Sequence, residues 1–533
     1  MGVGLSPVNR ALLRVPRRAE SGQVERLADT FVDSGIAAAL ETVDHQVIYG
    51  RRGTGKTHAL RYLEAQVTGA GDVAVYLDLR TVGSPEGLFM VGSVPVVERA
   101  GRLLVDLLAQ FHEAVLAAAL DDDALLADSM FVHHLDDLLA AISAVTITGE
   151  VATETEQETT AGRKDSLEGQ VTVGPAPQVS LTAGGETNSD RRQLVRRSHK
   201  GIQQRSLNFA DIARALRALG TSLASTRVWL LLDEWSAIPA DLQPYLAEFL
   251  TRCVLPLPRF TVKIATIEQQ TSFRTATAAG PPVGFELGAD IAANLNLDEV
   301  MVYEQDPARS RDFFAGLFHR HLTAGASDAG PSLGLGTPED LVRVGFTDPR
   351  AFDELVMAAE GVPRDAINIA AKAAFRAGTQ RISVTDVRAS AQAWFQEDKE
   401  AALAHREQAV ALLHWIIDRV IRDRRARAFL VAQHDSRAPL LQALFDARVL
   451  HLYRRGYSGQ DTPGTRYDVW IIDYGAYIDL ISTRHAPLGL LPTGAGDTEG
   501  HVEVPALDLR AIRRAILDLD TYSTTTAQDA GTP

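Results

Sequence analysis

The chain has 533 residues, 46% of them hydrophobic, a single cysteine (Cys253) and a formal net charge of -15. That length suits about three to four domains of ~150 residues with real cores, and the lone cysteine excludes a disulfide framework or a cysteine-rich metal site, which fits a reducing, cytoplasmic compartment. The acidity disfavours attraction of nucleic acid over the whole surface, so any such contact requires a local basic patch.

Residues 1–26 are predicted as an N-terminal extension without the apolar stretch of a signal peptide. No window is expected to approach the ~18 apolar residues of a membrane span, so no membrane partner is expected. A nucleotide-binding core is predicted over residues 27–310. Its first strand, Val47 to Tyr49, runs into Gly50-x-x-x-x-Gly55-Lys56-Thr57, and a helix follows from Thr57. Strand, glycine-rich turn and helix are the context a P-loop requires. Gly50, Gly53 and Gly55, with Thr54 between them, let backbone N–H groups turn toward phosphates at a helix N-terminus, while the Thr57 hydroxyl is placed to ligate Mg²⁺. Only six of the 53 basic residues are lysines, so Lys56 stands out: a compact ammonium reaches between β- and γ-phosphates where a guanidinium fork fits poorly. A chance glycine-rich turn is the plain alternative.

The next strand is predicted at Asp72 to Leu79, and after it an insertion occupies about residues 95–205. Two helical stretches lead into a Thr/Glu/Gly-rich segment, "TGEVATETEQETTAGRKDSLEG", that reads as a mobile loop. The alternation of Val171 and Val173 against Val179 and Leu181 around a Pro-rich turn predicts a hairpin. "DRRQLVRRSHKGIQQR" then packs Arg191, Arg192, Arg196, Arg197, Lys200 and Arg205 into the densest basic run of the chain. Such a run is either a solvated face or a nucleic-acid contact.

"TRVWLLLDEWSAIP" supplies a carboxylate strand: five apolar residues, Val228 to Leu232, suit a strand buried on both faces, and it ends in Asp233-Glu234. In this Walker B pattern Asp233 holds Mg²⁺ through water and Glu234 orients and deprotonates the attacking water. With no N-K-x-D guanine-reading motif present, ATP is the expected nucleotide. Further strands at Phe260 to Ile267 and Asp298 to Glu304 complete a parallel five-stranded α/β sheet, with the ligand at the carboxyl ends of the strands. Residues 311–400 then read as a helical lid, its segments opening on Thr, Pro or Asp and, in two cases, closing near Gly.

Walker A, Walker B and a lid carrying Gly361, Pro363 and Arg364, followed by "RISVTDV" (Arg381 to Val387), together resemble the AAA+ ATPases, particularly the origin-recognition-complex-like initiators. The resemblance spans roughly Leu27 to Glu400, apart from the insertion. It implies that Arg364 is sensor 2, reaching from the lid onto the γ-phosphate, and that a polar residue after the fourth strand is sensor 1: Gln269, with Thr266 and Glu268 as rivals. An arginine finger donated to a neighbour is sought at Arg274, against the plainer reading of a solvated loop charge.

The family's third part is a winged-helix DNA-binding domain, and residues 404–485 read as winged-helix-like: an amphipathic helix at Arg406 to Asp423, a short strand, a second helix, and two strands around a Gly/Pro/Asp-rich loop. Arg454, Arg455 and Arg466 flank that wing, where phosphate contacts sit; such domains also serve protein contacts or mere packing. Asp468, Asp473 and Asp479 fall along predicted strands but lack a following lysine for a metal nuclease. His133-His134 and His319-x-His321 lack metal-ligand spacing and read as structural. Residues 486–533 are a C-terminal extension with a disordered end.

The reading is an ATP-binding and hydrolysing AAA+ protein, using Mg²⁺, that controls assembly on double-stranded DNA as a homo-oligomer or beside an AAA+ neighbour. The alternatives are a signalling or defence-type ATPase switch whose C-terminal domain docks a protein effector, and a transposition-type AAA+ regulator.

Overall fold

A computed structural model describes residues 4–18, 24–83, 94–120, 128–143, 146–148, 151–156, 194–199, 202–204, 207–223, 226–277, 280–300, 306–324, 333–424, 426–458, 464–482, 515–519 and 521–522. The chain divides into two compact units, one formed by residues 1–81, 225–251 and 257–533, the other by residues 82–224 and 252–256.

The first unit is built on a five-stranded parallel sheet in the order 292–296, 46–49, 260–266, 228–233, 73–78. The three central strands are buried along their whole length, which is why Val228 to Leu232 reads as an unbroken apolar run rather than an alternating one; Phe260–Thr266 also buries Thr261, Lys263 and Thr266. The fifth strand differs from the sequence expectation. It is Ala292–Asn296 at the sheet edge, while Leu297–Val300 within the expected Asp298 to Glu304 is a short helix; residues 301–305 lie outside the described residues. The Asn296 side chain accepts the Asp298 N–H at 3.0 Å, ending the strand locally, and the Asp298 carboxylate is taken by Arg51. An edge strand paired on one side tolerates the polar "AANLN" that hid it.

Five helices follow: Pro307–Thr323, Pro338–Gly345, Pro349–Ala359, Pro363–Ala377 and Val384–Trp394. Four have proline in the first turn, and Thr337 with Asp340 and Ser383 with Asp386 close reciprocal capping boxes. The helix Pro7–Leu13 inserts Val8 and Leu12 into the same core, and its Asn9 side chain donates to the carbonyls of Gly378 and Gln380 at 2.8 and 2.9 Å.

Beyond the lid come helix Glu407–Ile417, strand Ala428–Ala432, helix Pro439–Asp446, the antiparallel strands Leu450–Ser458 and Arg466–Ile472, and helix Tyr474–Ser482. The last is a correction: Asp479 lies on a helix and not a strand, because the Asp473 carboxylate accepts the Gly475 N–H at 2.9 Å and turns the chain. A second correction concerns the extension. Strand Ile516–Leu517 adds in parallel to Ala428–Ala432, giving the sheet order 450–458, 466–472, 428–432, 516–517, and Tyr522 is buried in the core. Residues 523–533 lie outside the described residues.

The second unit holds helices Val96–Leu120, Ser129–Ser143 and Phe209–Ser222, whose facing sides bury Leu103, Leu107, Phe131, Leu138, Leu216 and Leu219. Contrary to expectation, Val96–Leu120 is long and apolar enough to cross a membrane by length and composition; it buries one face together with Arg99 and His112, as a core helix does. The expected loop is also structured at its start, where Val151–Glu156 pairs antiparallel with Leu194–His199 and Thr146–Thr148 with Ile202–Gln204. The rest of that loop and the hairpin expected around Val171 to Leu181 lie outside the described residues.

Candidate nucleotide site

The P-loop strand leaves the sheet at Tyr49, and the Gly50 N–H is tied to the Thr266 carbonyl of the neighbouring strand at 3.2 Å. Gly53 has φ +89°, and a Cβ there would stand 2.7 Å from Arg364 Cβ, so the lid arginine packs directly on the loop. The Arg364 N–H donates to the Gly53 carbonyl at 3.2 Å. Gly55, at φ +99°, precedes helix Lys56–Gly69 and offers no side-chain cap, leaving the first amides of that helix for another acceptor. Thr54 turns its hydroxyl onto the Arg51 carbonyl at 2.9 Å.

Lys56 is buried and donates to the Gly50 and Arg51 carbonyls at 2.8 and 3.0 Å. Burial lowers its pKa, with Glu234, Asp233 and Asp298 opposing. The Thr57 hydroxyl donates to Asp233 Oδ2 at 2.6 Å, Tyr76 donates to the same oxygen at 2.7 Å, and the Glu234 N–H donates to Asp233 Oδ1 at 2.8 Å. Burial, reinforced by Asp233, raises the Tyr76 pKa well above the phenol range, so Tyr76 stays a donor. Glu234 sits in the left-handed region at φ 55°, ψ 41°, a conformation costing about 1–3 kcal/mol that persists where neighbours over-determine it. Arg80, just past the strand Val73–Asp78, stands 4.0 Å from the Glu234 carboxylate.

Gly53, Gly55, Lys56, Thr57, Arg80, Glu234 and Arg364 line one cavity of about 340 Å³. Its lining carries Arg17, Arg18, Arg26, Arg52, Lys56, Arg80 and Arg364 against the single carboxylate of Glu234, a balance matched to a polyphosphate. The neutral part of the lining includes Leu27, Thr30, His58, His321 and Ile367. Burial lowers the pKa of His58, and burial with His58 and Arg26 nearby lowers that of His321 to about 4. The residues present fit a nucleotide with Mg²⁺: glycines where a Cβ would collide, a buried ammonium, an uncapped helix N-terminus, and a hydroxyl beside a carboxylate as hard oxygen ligands.

Residues 16–71, which contain the P-loop and the cavity arginines Arg17, Arg18, Arg26 and Arg52, match the ORC-CDC6-like family model. The resemblance is to the ORC/Cdc6-like AAA+ ATPases. No curated protein sequence matches the chain. Among solved structures, the crystal structure of Cdc6p from Pyrobaculum aerophilum aligns at 13% identity and a TM-score of 0.28, covering 87% of this chain and 94% of that one.

Other expected site residues lie elsewhere. Gln269 is not brought to the P-loop cavity: the turn Glu268–Gln270 directs it to a second cavity, of about 190 Å³, shared with Gln433, Gln442 and Trp470. Glu268 pairs with Arg455 at 2.7 Å. Arg274 lies on the two-residue strand Arg274–Thr275, which pairs with Val283–Gly284, and binds Glu286 at 2.6 Å. The wing arginines Arg454, Arg455 and Arg466 are all exposed, and Arg455 is in addition held by Glu268 and, at 3.3 Å, by Glu299. Arg196 and Arg197 lie on strand Leu194–His199; Arg191 and Arg192 lie outside the described residues. Sequence reasoning missed Tyr76, Arg80 and the N-terminal arginines. Arg80 had a signal, since a cation just past the carboxyl end of a parallel strand stands where such sheets bind ligand.

Proposed function

We propose that the chain binds ATP with Mg²⁺ at this cavity, hydrolyses it, and uses the nucleotide state to control assembly on DNA. One observation carries the reading: Lys56, Thr57, Glu234 and Arg364, drawn from three distant segments, line one cationic cavity, with Asp233 hydrogen-bonded to Thr57 behind it. Thr57 and Asp233 would hold Mg²⁺, which when bound neutralises charge on the β- and γ-phosphate oxygens. Lys56 exchanges the Gly50 and Arg51 carbonyls for phosphate oxygens, and the first amides of helix Lys56–Gly69 cradle the chain of phosphates. Arg364 reaches in from the lid toward the terminal phosphate, and Glu234 orients a water and accepts its proton. The C-terminal region, winged-helix-like in its order of elements, presents Arg454 and Arg466 to a duplex, and neighbouring copies share ATP head to tail.

The test is titration with a fluorescent ATP analogue together with steady-state turnover. Lys56→Ala should abolish binding, and Glu234→Gln should bind but lose roughly 10²-fold or more in turnover. Sedimentation of Glu234→Gln in ATP should show larger species than in ADP. Unchanged turnover in Glu234→Gln would remove its assigned role. A second reading, a switch whose C-terminal domain docks a protein effector, is favoured by Arg455, which is spent on Glu268 and Glu299 rather than left for phosphate.

A further inference from the structure

A buried chain of polar contacts leaves the P-loop, enters the C-terminal domain and returns to the lid helix that carries Arg364. It starts at Arg51, the residue after the first P-loop glycine, only 3% exposed. The Arg51 backbone N–H and Nε donate to the two oxygens of Asp298 at 2.9 and 2.7 Å. Its guanidinium lies 4.4 Å from the Phe445 ring centroid and donates to the Leu450 carbonyl at 3.1 Å. Both terminal nitrogens also face His451 Nδ1, at 3.3 and 3.2 Å.

A guanidinium has only protons to give, so His451 Nδ1 is the acceptor and Nε2 carries the ring proton. That Nε2–H donates to Asp473 Oδ2 at 2.9 Å. The buried ring is held neutral: burial, with Arg51 beside it, lowers its pKa to about 3. Asp473 also receives the Lys399 ammonium at 2.6 Å, and Lys399 reaches Asp365 at 2.9 Å. Trp394 Nε1 and Arg448 Nε complete the shell of Asp365 at 3.0 and 3.3 Å. Asp365 follows Arg364, whose N–H is on the Gly53 carbonyl.

Two features set this apart from simple domain adhesion. The Arg51 carbonyl accepts the Thr54 hydroxyl and the Lys56 ammonium, so fixing Arg51 fixes the loop backbone at Thr54 and the carbonyl from which Lys56 passes to phosphate. The neutral imidazole offers one acceptor and one donor on opposite sides, a polarity that a packing residue does not need. We propose that His451 and Asp473 of the C-terminal domain are positioning residues of the nucleotide site. They hold Arg51, and with it the P-loop backbone, in its phosphate-binding shape, while Lys399 and Asp365 hold the lid helix that bears Arg364. A loop held in shape in advance spends less binding energy on ordering.

The inference rests on the ATP reading, and the full chain tests the two separately. His451→Leu removes both hydrogen bonds, and the dissociation constant for the fluorescent ATP analogue should rise about tenfold with kcat little changed, as for lost uniform binding. His451→Gln, whose amide can accept from Arg51 and donate to Asp473, should restore wild-type affinity. Arg51→Lys keeps the charge beside Asp298 but not the fork, and should match His451→Leu. Hydrogen exchange of amides 50–55 without nucleotide should quicken in His451→Leu and not in His451→Gln. A merely structural role would lower the melting temperature while leaving affinity, measured well below melting, where it was. Wild-type affinity in folded His451→Leu, or in Arg51→Lys should the leucine variant not fold, overturns the inference. If Lys56→Ala binds as the wild type does, the ATP reading is what fails, and the exchange rates of amides 50–55 still decide the inference.

Discussion

Gly53 joins two constraints in one residue. Its φ of +89° is strained for any other side chain, and a methyl there would stand 2.7 Å from Arg364 Cβ. Gly53→Ala should therefore displace Arg364 as well as strain the loop, whereas Gly55→Ala, at φ +99°, strains the backbone but meets nothing within 4 Å. On the proposed role of Arg364, Gly53→Ala should weaken ATP about tenfold relative to ADP, for a loss near 1–2 kcal/mol. Gly55→Ala should weaken both alike, and calorimetric titration of each nucleotide decides. His321 makes a second prediction. Its folded pKa is about 4 against about 6.5 unfolded, so above pH 6.5 it is neutral in both states and its contribution is complete. Between pH 6.5 and about 4 only the unfolded chain takes the proton, so stability falls by about 1.4 kcal/mol per pH unit for this group. The unfolding midpoint of the wild type should drop across that window more steeply than that of His321→Gln.

Gly475 shows how an element's identity hangs on packing. A methyl there would lie 2.6 Å from Phe395 Cβ and 2.7 Å from the Ala391 carbonyl, so Gly475→Ala should destabilise by about 1–3 kcal/mol, as overpacking does. An unchanged melting temperature would contradict this close approach. The same segment misled the sequence reading. Tyr474, Ala476 and Ile478 alternate as a strand would, but the Asp473 carboxylate takes the Gly475 N–H and starts a helix. Val228–Asp233 was legible because a strand buried on both faces is written as an unbroken apolar run, here Val228 to Leu232; Phe260–Thr266 buries Thr261, Lys263 and Thr266 among its apolar residues and was legible by its β-branched and aromatic residues. Ala292–Asn296 was not, because an edge position relaxes that demand. Lys56, Thr57, Asp233 and Glu234 were legible because each sits at the boundary of a strong local pattern. Gln269 was misjudged because a polar residue after a strand has two sides to face, and the turn Glu268–Gln270 chose the other. The hold of His451 on Arg51 joins positions 400 residues apart, beyond any local pattern.

Across the whole molecule the acidic total makes DNA binding a question of which arginines are free to reach phosphate. Arg454 and Arg466 are exposed, and Arg455 is held by two carboxylates. In anisotropy titrations of a labelled duplex from about 50 to 200 mM salt, replacing Arg454 and Arg466 by alanine should flatten the log-log slope by about 0.9 for each phosphate no longer neutralised. Arg455→Ala should leave the slope where it was. If no duplex binds at the lowest salt, the protein-docking reading takes first place.

The order of the core sheet also sets a timetable. The P-loop strand ends at residue 49 and lies between strands that begin at 260 and 292, so its nearest neighbour is made 260 - 49 = 211 residues later. At roughly 5–20 residues per second of synthesis, Val47 and Ile48 wait on the order of 10 to 40 seconds before either flank can be covered. The unit within residues 82–224 is translated during that interval. A growing chain therefore carries the seed of its nucleotide pocket, unpaired, through much of its time on the ribosome, and a pause between residues 250 and 300 would lengthen the most vulnerable moment of its birth.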